Sequence, residues 1–355
     1  LTARLADAKF FWETDKKRPL SQQLEKLTRI TFHDKLGTLF DKSQRVAKLA
    51  RELCEKGVID ADPDLAEKAG MLCKADLVSE MVGEFPELQG IMGGYYAAEE
   101  GLPDEVSCAI RDHYKPVGFG DVVPTSGVTI AVAIADKLDT LENFFRIDER
   151  PTGSKDPFAL RRLASGIVRI IIENKKNFKI RDLINYSSSL YQDQGFEFEN
   201  KSLQKELLDF LLERLKYYMK EENIRNDIIQ ASISSSNLDQ SVIIFNKAKN
   251  LNKIINKQNG IDIISSYKRA SNILESELKK NKIELSNTTD PGIFKTELEK
   301  NLFKKINELR KYFSSINNDE NFVQTLDNLA SIKREVFDFF DNVIVNEDDL
   351  VLKKN

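Results

Sequence analysis

Residues 74–97 read KADLVSEMVGEFPELQGIMGGYYA, and the spacing inside this stretch sets the fold class. Leu72, Asp76, Glu80 and Glu84 recur on one helical face, and Leu77, Met81 and Phe85 on another, so a helix is predicted up to Phe85. Pro86 ends it, because proline disfavours helical backbone in the residue before it. Gly90, Gly93 and Gly94 then permit close backbone approach ahead of Tyr95 and Tyr96. The stretch reads as the corner between two packed helices, although its acidic and aromatic content exceeds what core filling requires.

The same period continues outward on both sides. Upstream, Leu5, Ala8, Phe11 and Trp12 share a face until Pro19, and Leu24, Leu27 and Ile30 form a second helical pattern. A helix over 42–55 buries Val46, Leu49, Ala50 and Leu53, and Pro63 starts the next. Downstream, a helix opens at Asp104, a candidate N-cap, and runs to about Tyr114. The most apolar helix follows over 128–145, with Asp136 and Asp139 near its middle, and another covers 158–174. Beyond Asn174 the composition shifts towards Asn, Lys, Ser and Ile, and helices are predicted over 203–222, 223–232, 238–256, 261–281, 297–314 and 321–342. No strand alternation or fixed-period repeat persists. The chain is therefore expected to be all-α: connecting helices over 1–30, a helical domain over 31–174, linker helices over 175–220 and a second helical domain over 221–355.

Composition narrows the function classes. The chain has 355 residues, 41% hydrophobic and 31% charged, which fits a globular protein with substantial cores rather than a disordered one. A net charge of −4 gives no global footprint for nucleic acid, so any RNA contact must use local basic patches. Cys54, Cys73 and Cys108 form no zinc or redox motif, and a reducing cytoplasm is the expected compartment. No apolar run is long enough for a bilayer, so no membrane partner is expected. The start at Leu1 and the end at Val351-Leu-Lys-Lys-Asn355 suggest a piece of a longer chain, without a signal peptide.

Two histidines, His33 and His113, leave little for metal chemistry. His33-Asp34 looks like a metal dyad, but at a predicted helix start Asp34 reads better as a cap. Lys42-Ser-Gln-Arg45-Val46, then Met71-Leu72-Cys73-Lys74, then Ala135-Asp136 follow the motif order of HD-type phosphohydrolases. The first domain resembles that bundle with its metal histidines replaced by Lys42 and Cys73 and its dyad aspartate by Lys74. An ammonium group there repels a cation, so no metal and no catalytic residue is expected. Lys42, Arg45, Lys74, Asp76, Glu80, Asp136 and Asp139 are read as a structural pocket of paired charges. The loop Pro151-Thr-Gly-Ser-Lys-Asp-Pro157 lacks phosphate-loop spacing. It is either a polar connector capped by Asp156 or, with Lys155, Arg161 and Arg162 at a helix start, a phosphate contact. Tyr267, Lys268 and Arg269 lie on a helix with an opposite apolar face, and Phe339–Phe340 end another. Separately these read as a solvated face and a core, the reading the residues favour; together they suggest a basic surface with aromatics for unpaired bases.

Leu1-Thr-Ala-Arg-Leu-Ala-Asp-Ala-Lys-Phe-Phe11, Leu36-Gly-Thr-Leu39, residues 74–97, Ala133-Ile-Ala-Asp-Lys-Leu-Asp-Thr-Leu141 and Lys155-Asp-Pro-Phe-Ala-Leu-Arg-Arg162 resemble the beta-subunit family of bacterial glycyl-tRNA synthetase. Ser266-Tyr-Lys-Arg-Ala-Ser-Asn-Ile-Leu274 and Phe339-Phe-Asp-Asn-Val-Ile-Val345 resemble its helical anticodon-binding domain, of the DALR-like kind also seen in arginyl-tRNA synthetase. The resemblance covers essentially the whole chain and implies a subunit that binds tRNA(Gly). It further implies an alpha subunit that activates glycine with ATP and Mg, and an assembly of two alpha and two beta subunits. It assigns Tyr267, Lys268, Arg269, Lys155, Arg161 and Arg162 to tRNA contact. No residue pattern in this chain indicates ATP or glycine binding, and no cofactor is expected in it. An HD-type phosphohydrolase and a non-catalytic interaction scaffold are the alternatives; the missing histidines count against the first and the Lys-Arg surfaces against the second.

Overall fold

A computed structural model describes residues 2–118, 120–176, 179–193, 202–234, 240–281, 289–315 and 322–343. Ile344 and Val345 of the 339–345 motif, and the chain's last residues, lie outside the described residues. The described residues fall into two units, one comprising residues up to Asn223 with Ile233–Phe245, the other Ile224–Ser232 with Asn246 onward. The fold is all-α apart from one short antiparallel hairpin among the described residues.

The first unit opens with α1 (Thr2–Asp15) and α2 (Leu20–Leu27). The hairpin β1 (Thr31–His33) and β2 (Gly37–Thr38) follows, with Thr31 opposite Thr38. His33 thus sits in a strand and Asp34 in the turn, not at a helix start; strands this short leave no alternation to read. The cap of α3 (Leu39–Glu55) is Thr38, in a reciprocal capping box with Asp41. Helix α4 (Pro63–Leu72) starts from Asp62 with Pro63 in its first turn. It crosses α3 closely at Gly70, where an added Cβ would lie 2.8 Å from the Cα of Ala47.

The helix predicted through residues 72–85 is broken. A 3-10 turn spans Ala75–Val78, and α5 (Glu80–Glu84) begins again at the cap Ser79. The cause lies in α1: the Asp15 carboxylate accepts from the backbone N–H groups of Glu80 and Met81, each at 3.0 Å, and from the Tyr96 hydroxyl at 2.8 Å. Pro86 closes α5 as its chemistry requires, and α6 (Ile91–Glu99) starts after Gly90, whose φ of 79° favours glycine. Pro103, not Asp104, precedes α7 (Asp104–Asp112); Asp104 is its first helical residue.

Helix α8 (Gly127–Arg146) is apolar through its first half, carries Asp136, Lys137, Asp139 and Glu142 further on, and is buried along nearly its whole length against α3, α4, α7 and α9 (Leu160–Glu173). Helices α10 (Ile180–Asp193) and α11 (Leu203–Glu221) complete this layer and bury Ile184, Leu207 and Leu211. After α12 (Asn226–Ser234) and α13 (Ser241–Ile254), the second unit packs α14 (Gln258–Asn281) on α16 (Phe322–Ala330) and α17 (Lys333–Asn342), and α15 (Glu297–Ser315) on α17. The single helix predicted over 321–342 is two, separated at Ser331, whose hydroxyl donates to the Asn328 carbonyl at 2.6 Å.

Candidate functional site

Three places gather the side chains singled out in the sequence. The first is a buried charge network where α3, α4 and α8 meet. Lys42 reaches Asp136 Oδ1 at 3.0 Å, Asp139 Oδ2 at 3.2 Å and Thr140 Oγ1 at 2.6 Å. Arg45 donates from Nε to Asp139 Oδ1 at 2.7 Å. Lys74 lies 3.0 Å from Asp136 Oδ2 and 3.8 Å from the centroid of the Tyr114 ring. Its ammonium also donates to His113 Nε2 at 2.9 Å. The opposite nitrogen, Nδ1, is 2.7 Å from the Ile110 carbonyl, which can only accept, so Nδ1 carries the proton.

The charge states follow from these contacts. Burial alone would raise Asp136, but the Lys42 and Lys74 ammonium groups hold it well below the ordinary carboxylate range. Asp139 is lowered against its burial by Arg45 and Lys42. Burial and then Lys74 push His113 well below its usual value, so it is neutral. Lys137 donates to the carbonyls of His113 and Lys115 at 2.9 and 2.8 Å; burial lowers it to about 7. Burial pushes the Cys73 thiol up to about 12.

Asp76 belongs to a different arrangement. Its Oδ2 accepts from the backbone N–H groups of Gly90 and Gly93 at 2.6 and 3.0 Å, fastening the start of α6, and burial raises its carboxyl to about 6. The Glu80 side chain is exposed and stands outside the network, and Tyr95 is exposed as well. The structure therefore brings Lys42, Arg45, Lys74, Asp136 and Asp139 together and leaves Asp76 beside them and Glu80 apart. The donor set does not suit a divalent ion: both carboxylates are spent on cations, Lys42 bridging the two and Lys74 lying on Asp136. Among the described residues, no group of three or more His, Cys, Asp and Glu side chains is placed to hold one.

The second place is a groove of about 320 Å³ in the first unit, walled by α9, α11 and the turn at Pro116 and Gly118. Arg161 and Arg162 line it, as do Arg169, Arg214, Tyr217 and Tyr218. Asp156 caps α9, accepting from the backbone of Leu160 and Arg161 at 2.8 and 3.0 Å. Lys155 lies outside the groove lining, exposed in a tight turn paired with Thr152. Sequence reasoning missed Arg214, Tyr217 and Tyr218; the available signal was the spacing Arg214-x-x-Tyr217, which stacks the pair on one helical face.

The third place is α14 in the second unit. Tyr267 is 71% exposed and Lys268 is exposed beside it. Arg269 instead packs inward, pairing with Asp341 and lying 5.0 Å from the Phe337 ring centroid and 5.8 Å from that of Phe340. The basic triplet thus divides into an outward pair and an anchor that ties α14 to α17.

A family model described as the glycyl-tRNA synthetase beta subunit matches residues 1–234. The chain is 39% identical over 359 residues to the glycine–tRNA ligase beta subunit of Cereibacter sphaeroides, with all of this chain and 51% of the relative covered. It is 40% identical over 360 residues to that of a Ruegeria species and 40% identical over 358 residues to that of Paracoccus denitrificans, with all of this chain and 50% of each relative covered. The chain spans about half the length of the curated relatives it matches.

Proposed function

Because the chain belongs to the glycyl-tRNA synthetase beta-subunit family, we propose that it binds tRNA(Gly) for an enzyme that attaches glycine to that tRNA at the expense of ATP. The match of the whole chain to about half of relatives named as beta subunits carries this reading. In it, a separate alpha subunit activates glycine with ATP and Mg, two copies of each subunit assemble, and the complex works in the cytoplasm. Residues 31–174 form an HD-like bundle whose polar centre is structural, and residues 221–355 form a DALR-like anticodon-binding bundle. The engaged carboxylates and neutral His113 support the first assignment and weaken the phosphohydrolase alternative.

The exposed Tyr267 and Lys268 are the anticodon-arm surface, one offering a ring for stacking and the other a charge for phosphate. Arg269 holds that surface in place. In the complete enzyme, Tyr267→Ala with Lys268→Ala is expected to weaken tRNA(Gly) binding at unchanged melting temperature. The log–log salt slope should become shallower by about 0.7–0.9 for the lost phosphate contact. Arg269→Ala should instead lower the melting temperature. Undiminished tRNA affinity and salt slope in the folded double variant would reject this surface.

A further inference from the structure

The groove between α9 and α11 has a chemistry more specific than a basic face. Arg161 and Arg162 enter it from the first turn of α9 and form no ion pair among the described residues. Asp156 already occupies the helix terminus, so the anion-binding groups here are guanidinium groups, which suit phosphate in a two-pronged geometry. Arg169 is committed elsewhere: it donates to the carbonyls of Gly118 and Asp121 at 2.9 and 2.7 Å and pairs with Glu173, which fixes one wall. On the opposite wall Arg214 lies 4.3 Å from the centroid of the Tyr217 ring, and its Nε finds no acceptor among the described residues. That guanidinium steadies the ring, yet Tyr217 keeps 55% exposure.

We infer that this groove takes one unpaired nucleotide of an RNA strand, its phosphate on Arg161 and Arg162 and its base stacked on Tyr217. The volume of about 320 Å³ is at the small end of ligand pockets, sized for a single nucleotide and far too small for a duplex. The open aromatic ring selects against paired RNA, because bases inside a helix already stack on each other. The inference rests on the RNA-binding reading above but concerns the other unit, so the two fail separately.

The experiment uses the complete polypeptide in a Tyr267→Ala/Lys268→Ala background, which silences the α14 surface. Fluorescence anisotropy compares a single-stranded RNA octamer with the same octamer in a duplex and with free AMP. The octamer should bind more tightly than the duplex, and AMP, which carries the one nucleotide the groove accepts, should displace it. Tyr217→Ala should weaken it about tenfold, with Tyr217→Phe near the parent value. Arg162→Ala, at an exposed position, should weaken it and lower the salt slope by about 0.7. Melting curves matching the parent confirm that these variants fold. Duplex binding as tight as single strand, failure of AMP to displace the octamer, or octamer affinity indifferent to both Tyr217→Ala and Arg162→Ala would each overturn the inference.

Discussion

Replacing Asp136 with asparagine tests the buried network at its most exacting point. The substitution keeps the volume and removes the charge that Lys42 and Lys74 both contact at 3.0 Å. Lys42 retains Asp139 and Thr140. Lys74 is left with neutral His113 and the Tyr114 ring among the described residues, so most of the cost falls on Lys74. Removing one member of a buried ion pair costs about 3–5 kcal/mol. At about 2–4 °C per kcal/mol for a domain of this size, the melting temperature should fall by about 6–20 °C. Calorimetry with circular dichroism measures it. Lys74→Met in the Asp136→Asn background should recover a good part of the loss, because the stranded ammonium goes with it. A fall of less than about 2 °C, or a double variant that melts as low as the summed single losses imply, would refute the account of Lys74 as the stranded charge.

Asp76 and Gly70 give two further tests. The Asp76 carboxyl is raised by burial to about 6, above the roughly 3.9 of an unfolded chain, so the native state binds its proton more tightly. Its contribution to stability is full below about pH 4 and is lost as the pH rises through about 6; Asp76→Asn should remove that fall, and melting curves from pH 4 to 7 with parallel slopes for variant and parent would contradict it. Gly70→Ala would push a Cβ to 2.8 Å from the Cα and 3.0 Å from the N of Ala47, backbone atoms that cannot swing aside. A loss of about 1–3 kcal/mol is expected in denaturant titrations, and an unchanged midpoint would contradict the close crossing.

The all-α class was legible because each helix carries its own period. Lys42, Lys74 and Asp136 fall in motif order along the sequence, and in the fold both lysines meet Asp136. The rest depended on partners remote in sequence. The break before Glu80 is held by Asp15, 65 residues upstream, and within residues 74–97 only the cap residue Ser79 marks it. The hairpin at 31–38 is too short to display alternation. Arg269 reads as a free surface cation in sequence, and only α17 shows that it pairs with Asp341 and lies against Phe337 and Phe340. The groove needs α9 and α11 side by side, whereas alone each presents a charged face like any solvated helix.

The separations within the charge network bear on how the chain is made. Arg45 lies 94 residues before Asp139, Lys42 lies 97 before it, and Lys74 lies 62 before Asp136. On a ribosome, α3 and α4 are synthesised well ahead of the carboxylates that neutralise them. Until α8 emerges, hydration is the alternative for those cations, and closing α3 on α4 would mean dehydrating charge with nothing to balance it. Balanced burial of those cations thus requires a helix that is translated after them.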